Sequence, residues 1–194
     1  MTSTRSSDTR QRLLDAAVTA FAERGFHGTT TRDIAAAAGM SPAAVYVHHK
    51  SKEELLYALA RTGHDLTLEI VRNAIASAAE PREQLAATAR AFALHHAHDH
   101  TSARVVNYEL AALSPEHHAV IRELRRAIAA EIRGVVERGI ASGEFTVVDA
   151  NMTATSLLSL GIDIARWWDD RGPWTPDSLA DFHATLALRI VGAT

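Results

Sequence analysis

Between Thr30 and Glu54 the chain opens three helices in close succession, and such dense start signals leave room only for short helices packed against one another. Thr30 and Thr31 stand ahead of a stretch running through Ile34 to residue 38, and Gly39 then supplies the positive φ that a tight turn demands. Ser41 and Pro42 read as N-cap and first helical residue of a second helix reaching about residue 49. Ser51-Lys52-Glu53-Glu54 forms a capping box ahead of Leu55, Leu56 and Leu59. Two short helices joined by a glycine turn can present the second to the DNA major groove, about 12 Å wide. Ile34, Ala35, Ala38 and Val45 have the size and polarity to lock the pair together. Ser41, Ala43, Ala44, Tyr46 and Val47 are left along the outer start of the second helix.

Helical spacing continues along the whole chain, and no segment alternates with the period of two that strands require. The spacing predicts an all-α protein of about nine helices. The first opens at Asp8, with Gln11 completing a cap, carries Leu13, Leu14, Ala17, Val18 and Phe21 on one stripe, and ends at Gly25. After the capping box come helices over 52–79, 81–100 and 103–113. Ser114 and Pro115 start a long one whose stripe of Ile121, Leu124, Ile128, Ile132 and Val135 stops near Gly143. Helices over 149–170 and 177–191 complete the chain, the last capped by Thr175-Pro176-Asp177.

With 194 residues and about half of them apolar, a sizeable core can form. The chain has no cysteine, so disulfides and thiolate chemistry are excluded. There is no run of eighteen apolar residues, and the amino terminus is polar, so a soluble, unexported, cytoplasmic protein without a membrane partner is expected. The net charge of −3 requires any DNA-facing basic surface to be local. Thr30, Thr31, Arg32, Tyr46, Lys50 and Lys52 are suited to phosphate oxygens, as hydroxyls and cations near helix starts. Serines, histidines and carboxylates are plentiful, but no Gly-x-Ser-x-Gly, glycine-rich phosphate loop or His-Glu-x-x-His organises them, and no catalytic site or required cofactor is expected.

The order and spacing of several elements resemble the tetracycline-repressor (TetR) family of bacterial regulators. They are Arg12-Leu13-Leu14-Asp15-Ala16-Ala17, Phe21-Ala22-Glu23-Arg24-Gly25-Phe26, Thr30-Thr31-Arg32-Asp33-Ile34-Ala35, Ala38-Gly39-Met40-Ser41, Val45-Tyr46 and Lys50-Ser51-Lys52-Glu53-Glu54-Leu55. The resemblance implies a helix-turn-helix at about 30–49 within a DNA-binding domain over 1–64, and a ligand-binding and dimerisation domain over 65–194. It implies DNA contacts at Thr30, Thr31, Arg32, Ser41, Pro42, Ala43, Ala44, Tyr46, Lys50 and Lys52, and at His48 and His49, which replace an aromatic pair common in the family. It also implies a repressor that binds a palindromic operator as a homodimer through its last two helices and is released by a small-molecule inducer, with the helix over 52–79 as the lever.

Asn107-Tyr108-Glu109-Leu110, Ser114-Pro115-Glu116, Gly143-Glu144-Phe145 and Trp167-Trp168 resemble members that respond to acyl-coenzyme A thioesters. On that resemblance, Phe92, His96, Tyr108 and Trp167 would line or border an apolar tunnel, with Arg122, Arg125, Arg126 or Arg166 available for phosphates. The run His95-His96-Ala97-His98-Asp99-His100 supports a second reading as a metal-responsive regulator. On one helix His96 and His100 would share a face at i, i+4, and His95 and His98 at i, i+3. A helical interaction module that never touches DNA is the remaining alternative.

Overall fold

The computed structural model describes residues 2–193, with side chains from residue 8 onward. The described residues form α1 (Thr2–Arg24), α2 (Thr31–Ala37), α3 (Pro42–His48), α4 (Lys52–Ala76), α5 (Pro81–His98), α6 (His100–Tyr108), a 3₁₀ turn (Leu110–Ala112), α7 (Pro115–Ser142), α8 (Ala150–Trp167) and α9 (Pro176–Ile190), with no strand among them. The all-α reading holds, with several boundaries moved. α1 already begins at Thr2, so Asp8 lies inside that helix instead of capping it. Asp99 leaves the helical backbone (φ −108°, ψ 28°), ending α5 and letting α6 start at His100. The segment expected as one helix over 103–113 therefore begins earlier and finishes as the 3₁₀ turn. α4 stops at Ala76 and α8 at Trp167, each short of its expected end.

The chain divides into two compact units, Met1–Gly63 with Thr101–Ile121, and His64–His100 with Arg122–Thr194. The chain passes from the first unit to the second after Gly63, and 101–121 packs with the amino-terminal part. Its side chains explain this. A Cβ at Gly63 would lie 3.4 Å from Val106, the Arg104 guanidinium donates to Ala22 O (3.3 Å), and Ser114 N donates to Glu53 (2.9 Å). In this first unit Leu13, Ala17 and Phe21 of α1, Ile34 and Ala35 of α2, Val45 of α3, and Leu55 and Leu56 of α4 are buried. The first stripe read from the sequence is thus a core face.

In the second unit α5 is apolar on several sides. Leu85 packs with Val135, Val136, Phe145, Ala187 and Val191; Ala93 and Ala97 pack with Ile164, Trp168, Leu179 and Ala180; and Phe92 packs with Val71, Ile128, Ile132 and Ala154. Glycine lets α8 come close to α5, since a Cβ at Gly161 would lie 2.6 Å from the Phe92 ring. Across the surface, Arg90 of α5 bonds Asp177 (2.8 Å) and Asp181 (2.7 Å) of α9, an exposed pairing that fixes geometry more than it stabilises.

His96 is buried among these apolar groups, stacked 4.2 Å from the Phe92 ring, and its Nδ1 donates to Phe92 O at 2.9 Å. Burial pushes its pKa down from the usual 6.5 to about 3. The unfolded chain therefore takes up a proton near pH 6.5 that the folded chain refuses until about pH 3. Stability is unaffected by this group above pH 6.5 and falls as the pH drops below it. Between pH 7.5 and 5 the loss from His96 should be about 2 kcal/mol. Urea titrations at the two pH values should show that His96→Phe has a flatter pH dependence than the wild type; equal slopes would refute the assignment.

Candidate nucleic-acid interface and effector cleft

α2 and α3 are seven residues each, too short to hold their own orientation, and the surrounding bonds show how they are fixed. Thr30 caps α2 reciprocally: its hydroxyl accepts from Asp33 N (3.2 Å), while Asp33 Oδ2 accepts from Thr30 N (2.8 Å) and from the Thr30 hydroxyl (2.7 Å). These bonds hold the Asp33 carboxyl below the ordinary range. Gly39 turns the chain at φ +66°, with Met40 N donating to Ala35 O at 2.8 Å. Ser41 Oγ then accepts from Ala44 N (3.3 Å), and Pro42 occupies the first turn of α3.

Two cations fasten this assembly from behind. Arg12 of α1 donates from Nη2 to Ala38 O at 2.7 Å, clamping the turn. The Lys52 ammonium donates to Phe26 O (2.7 Å) and Thr29 O (2.8 Å) and sits 4.3 Å over the Phe26 ring. Thr29 itself is buried, with its hydroxyl within 2.9 Å of Ala20 O and 2.8 Å of Gly25 O.

Of the residues expected at DNA, Thr30, Arg32, Ser41, Pro42, Ala43, Tyr46 and Lys50 are exposed, and Thr31, Ala44 and His48 are half-buried. Only Val45 of α3 is buried, while Tyr46 and Val47 are 55% and 79% exposed. Two expectations change. His49 is buried, with its Nε2 lacking a hydrogen-bond partner and its pKa lowered by burial, so it belongs to the back of the reading unit. Lys52 donates to two carbonyls, which adds a structural role to the expected phosphate one. Arg12 escaped the sequence reading because its partner is a backbone carbonyl 26 residues away, which no side-chain pattern encodes.

A second contact missed from the sequence joins the first turns of α4 and α7. Glu53 accepts from Ser114 N and, at 2.8 Å, from His117 Nδ1, and the His117 ring stacks on Tyr57 with centroids 3.7 Å apart and 3° between planes.

The second unit holds a small cleft walled by α5, α7, α8 and α9 and open to solvent at its mouth. Phe92, Leu85, Ile132, Leu157 and Leu160 give it an apolar lining, to which Thr88 and His183 add polar groups. Among the ligand candidates, Phe92 lines the cleft and His96 lies beneath its ring. Tyr108 is an exposed residue of the first unit and is not among the residues that line the cleft. Arg122 and Arg126 are exposed outside the cleft lining, Arg126 bonded to Glu123. Arg125 Nη1 lies 3.4 Å from His64 Nε2. Arg166 pairs with Asp163 (3.3 Å), and the half-exposed Trp167 sits edge-on to Trp168 and Trp174, again outside the lining.

The metal alternative loses its geometry. Because the helix breaks at Asp99, His96 and His100 are not on one helix: His96 is inside, His98 is exposed, His95 faces Asp99 (3.3 Å), and His100 Nδ1 is 3.1 Å from Ala97 O. Among the described residues no three His, Cys, Asp or Glu side chains converge on a metal position. No helix among them is long and apolar enough to cross a membrane.

Residues 13–59 match the family model for bacterial regulatory proteins, tetR family, and residues 78–191 match that for the tetracyclin repressor-like C-terminal domain. The chain is 30% identical over 184 residues to the HTH-type transcriptional repressor KstR2 of Rhodococcus jostii, spanning 94% of this chain and 90% of that protein. Its structure is similar to a bacterial regulatory protein in the tetR family from Rhodococcus RHA1, with TM-score 0.91 and 39% identity over 96% of this chain and 98% of the other. It is also similar to AibR in complex with isovaleryl coenzyme A and operator DNA, with TM-score 0.85 and 26% identity over 96% of this chain and 100% of the other.

The fastening role of Lys52 can be separated from any role at DNA. Lys52→Ala should destabilise the protein by roughly 2 kcal/mol, since two carbonyls lose a charged donor. Tyr46→Ala should leave the denaturation midpoint within about 0.5 kcal/mol of wild type. A Lys52→Ala protein as stable as wild type in urea would show that the ammonium is dispensable to the fold.

Proposed function

This chain belongs to the TetR family of bacterial regulatory proteins, and we propose that it is a dimeric transcriptional repressor that reads a palindromic operator with α3 and is released by a small acyl thioester. The observation that carries the reading is the outer face of α3, where Ser41, Pro42, Ala43, Tyr46 and Val47 lie exposed on a helix braced from behind. Small side chains at its start let the backbone approach base edges, and Tyr46 and Val47 add hydrogen-bonding and apolar contact. Thr31, Arg32 and Lys50 flank the helix and supply phosphate contacts, with Thr30 presenting the start of α2. With a net charge of −3, affinity rests on these few contacts and on two subunits engaging half-sites about 34–36 Å apart. The protein acts in the cytoplasm, where its operator is, and needs no catalytic group.

Dimerisation uses the outer faces of α8 and α9. Met152, Leu160 and Phe182 are large apolar groups left at 68%, 43% and 59% exposure there, alongside small Ser156 and Ser159 that allow close helix approach. The effector class rests on the apolar cleft together with the similarity to AibR, whose structure contains isovaleryl coenzyme A. Repression and release are then linked: an effector that weakens operator binding by a given factor is itself bound more weakly by that factor on DNA.

Three measurements test this. In anisotropy titrations with DNA from upstream of its own gene, Tyr46→Ala should weaken binding about tenfold, and Val47→Glu should abolish it by setting a carboxylate among phosphates and base edges. Wild-type affinity in both would overturn the assignment of α3. Sedimentation should show a dimer for the wild type and a monomer for Phe182→Arg, and an unchanged dimer would place the interface elsewhere. Titration with short and long acyl-coenzyme A species should lower operator affinity for at least one; indifference to all would reject the effector class.

A further inference from the structure

Resting on that effector reading, we infer that the Thr88 hydroxyl is the polar anchor of the cleft, bonding a neutral carbonyl on an otherwise aliphatic effector. Thr88 lies in the middle of α5, is 2% exposed, and lines the cleft. Its Oγ1 has no hydrogen-bond partner. A threonine inside a helix ordinarily turns its hydroxyl back to the carbonyl four residues earlier. Thr19, Thr153, Thr155 and Thr185 each do so, bonding Asp15, Asp149, Asn151 and Asp181 at 2.7–3.2 Å. Thr88 departs from that pattern at the position where the helix faces the cleft. A buried hydroxyl left unpaired is costly, so a ligand group that pairs it is rewarded where the same group on the protein surface would gain little.

The rest of the lining narrows the chemistry of that group. No Lys, Arg, Asp or Glu lines the cleft, so a carboxylate entering it would have no counter-charge. His183, the other polar residue of the wall, has its pKa lowered by burial and faces an occupant as a neutral imidazole. Leu85, Phe92, Leu157 and Leu186 supply surface for an alkyl chain, and the contact of Gly161 with Phe92 brings α8 close to α5 at this wall. A thioester or ketone carbonyl on a short alkyl chain satisfies all of these conditions. The free acid of the same chain does not.

The test uses the full-length protein and calorimetry with two probes of the same carbon skeleton, isovaleryl coenzyme A and S-(3-methylbutyl) coenzyme A, in which a methylene replaces the carbonyl. Wild type should bind the thioester about tenfold more tightly than the thioether, the order of one hydrogen bond to a buried partner. Thr88→Val keeps the volume and removes the hydroxyl, so it should bind the two equally. Thr88→Ser keeps the hydroxyl and should retain the preference. Equal wild-type affinities, or an undiminished preference in Thr88→Val, would overturn the inference. If neither coenzyme A compound binds, the thioester reading fails and the anchor is decided by 4-methyl-2-pentanone, followed through methyl NMR shifts. Wild type and Thr88→Ser should then bind the ketone several-fold more tightly than Thr88→Val, with the isovalerate anion not binding. Indistinguishable affinities among the three proteins, or no ketone binding, would overturn it.

Discussion

Everything the amino-terminal unit can do depends on keeping two seven-residue helices in a fixed relation, and isolated helices of that length are unstable in water. Local capping by Thr30 and Ser41 gives each a start, but caps do not set the angle between them. That angle comes from burial of Ile34, Ala35 and Val45, with α2 packed on α1 and α3, and from cations bonded to carbonyls: Arg12 to Ala38, and Lys52 to Phe26 and Thr29. A charged donor on a carbonyl is stronger than a neutral bond, and directional. The exposed side chains of α3 are small, apolar or neutral, in keeping with the net negative charge of the chain.

The carboxy-terminal unit solves a different problem. Its central helix α5 must be apolar on several sides, yet it carries Thr88 and His96. His96 is accommodated by a bond to the Phe92 carbonyl and by stacking on the Phe92 ring, and stays neutral. Thr88 is accommodated by nothing in the chain. The contrast separates a polar group paired within the core from an unpaired one on a residue that lines the cleft, although both are nearly fully buried.

Much of the fold was legible because it is written in local chemistry. Caps at Thr30, Ser41, Ser51 and Thr175 and the turns at Gly25 and Gly39 are features of a few adjacent residues, and the structure contains them. The break at Asp99 was not legible, since the sequence there carries neither glycine nor proline. The same holds for the packing of 101–121 with the first unit, which depends on Arg104 reaching Ala22 and on Glu53 reaching Ser114 and His117, contacts 61 to 82 residues apart. Tyr108 was joined to Phe92 on the strength of residue type, and the fold put them in different units.

By itself the sequence determined the all-helical class, the position of the helix-turn-helix, and the outward identity of Ser41, Pro42, Ala43 and Tyr46, because capping, turn chemistry and the 3.6-residue period act over one or two turns. Only the tertiary structure decided that Lys52 and His49 face inward, that the histidine run is divided between two helices, and that Thr88 is left unpaired at a cleft. Each of those outcomes turns on which distant backbone or ring a side chain meets, and burial, not spacing, settles whether a polar atom finds a partner.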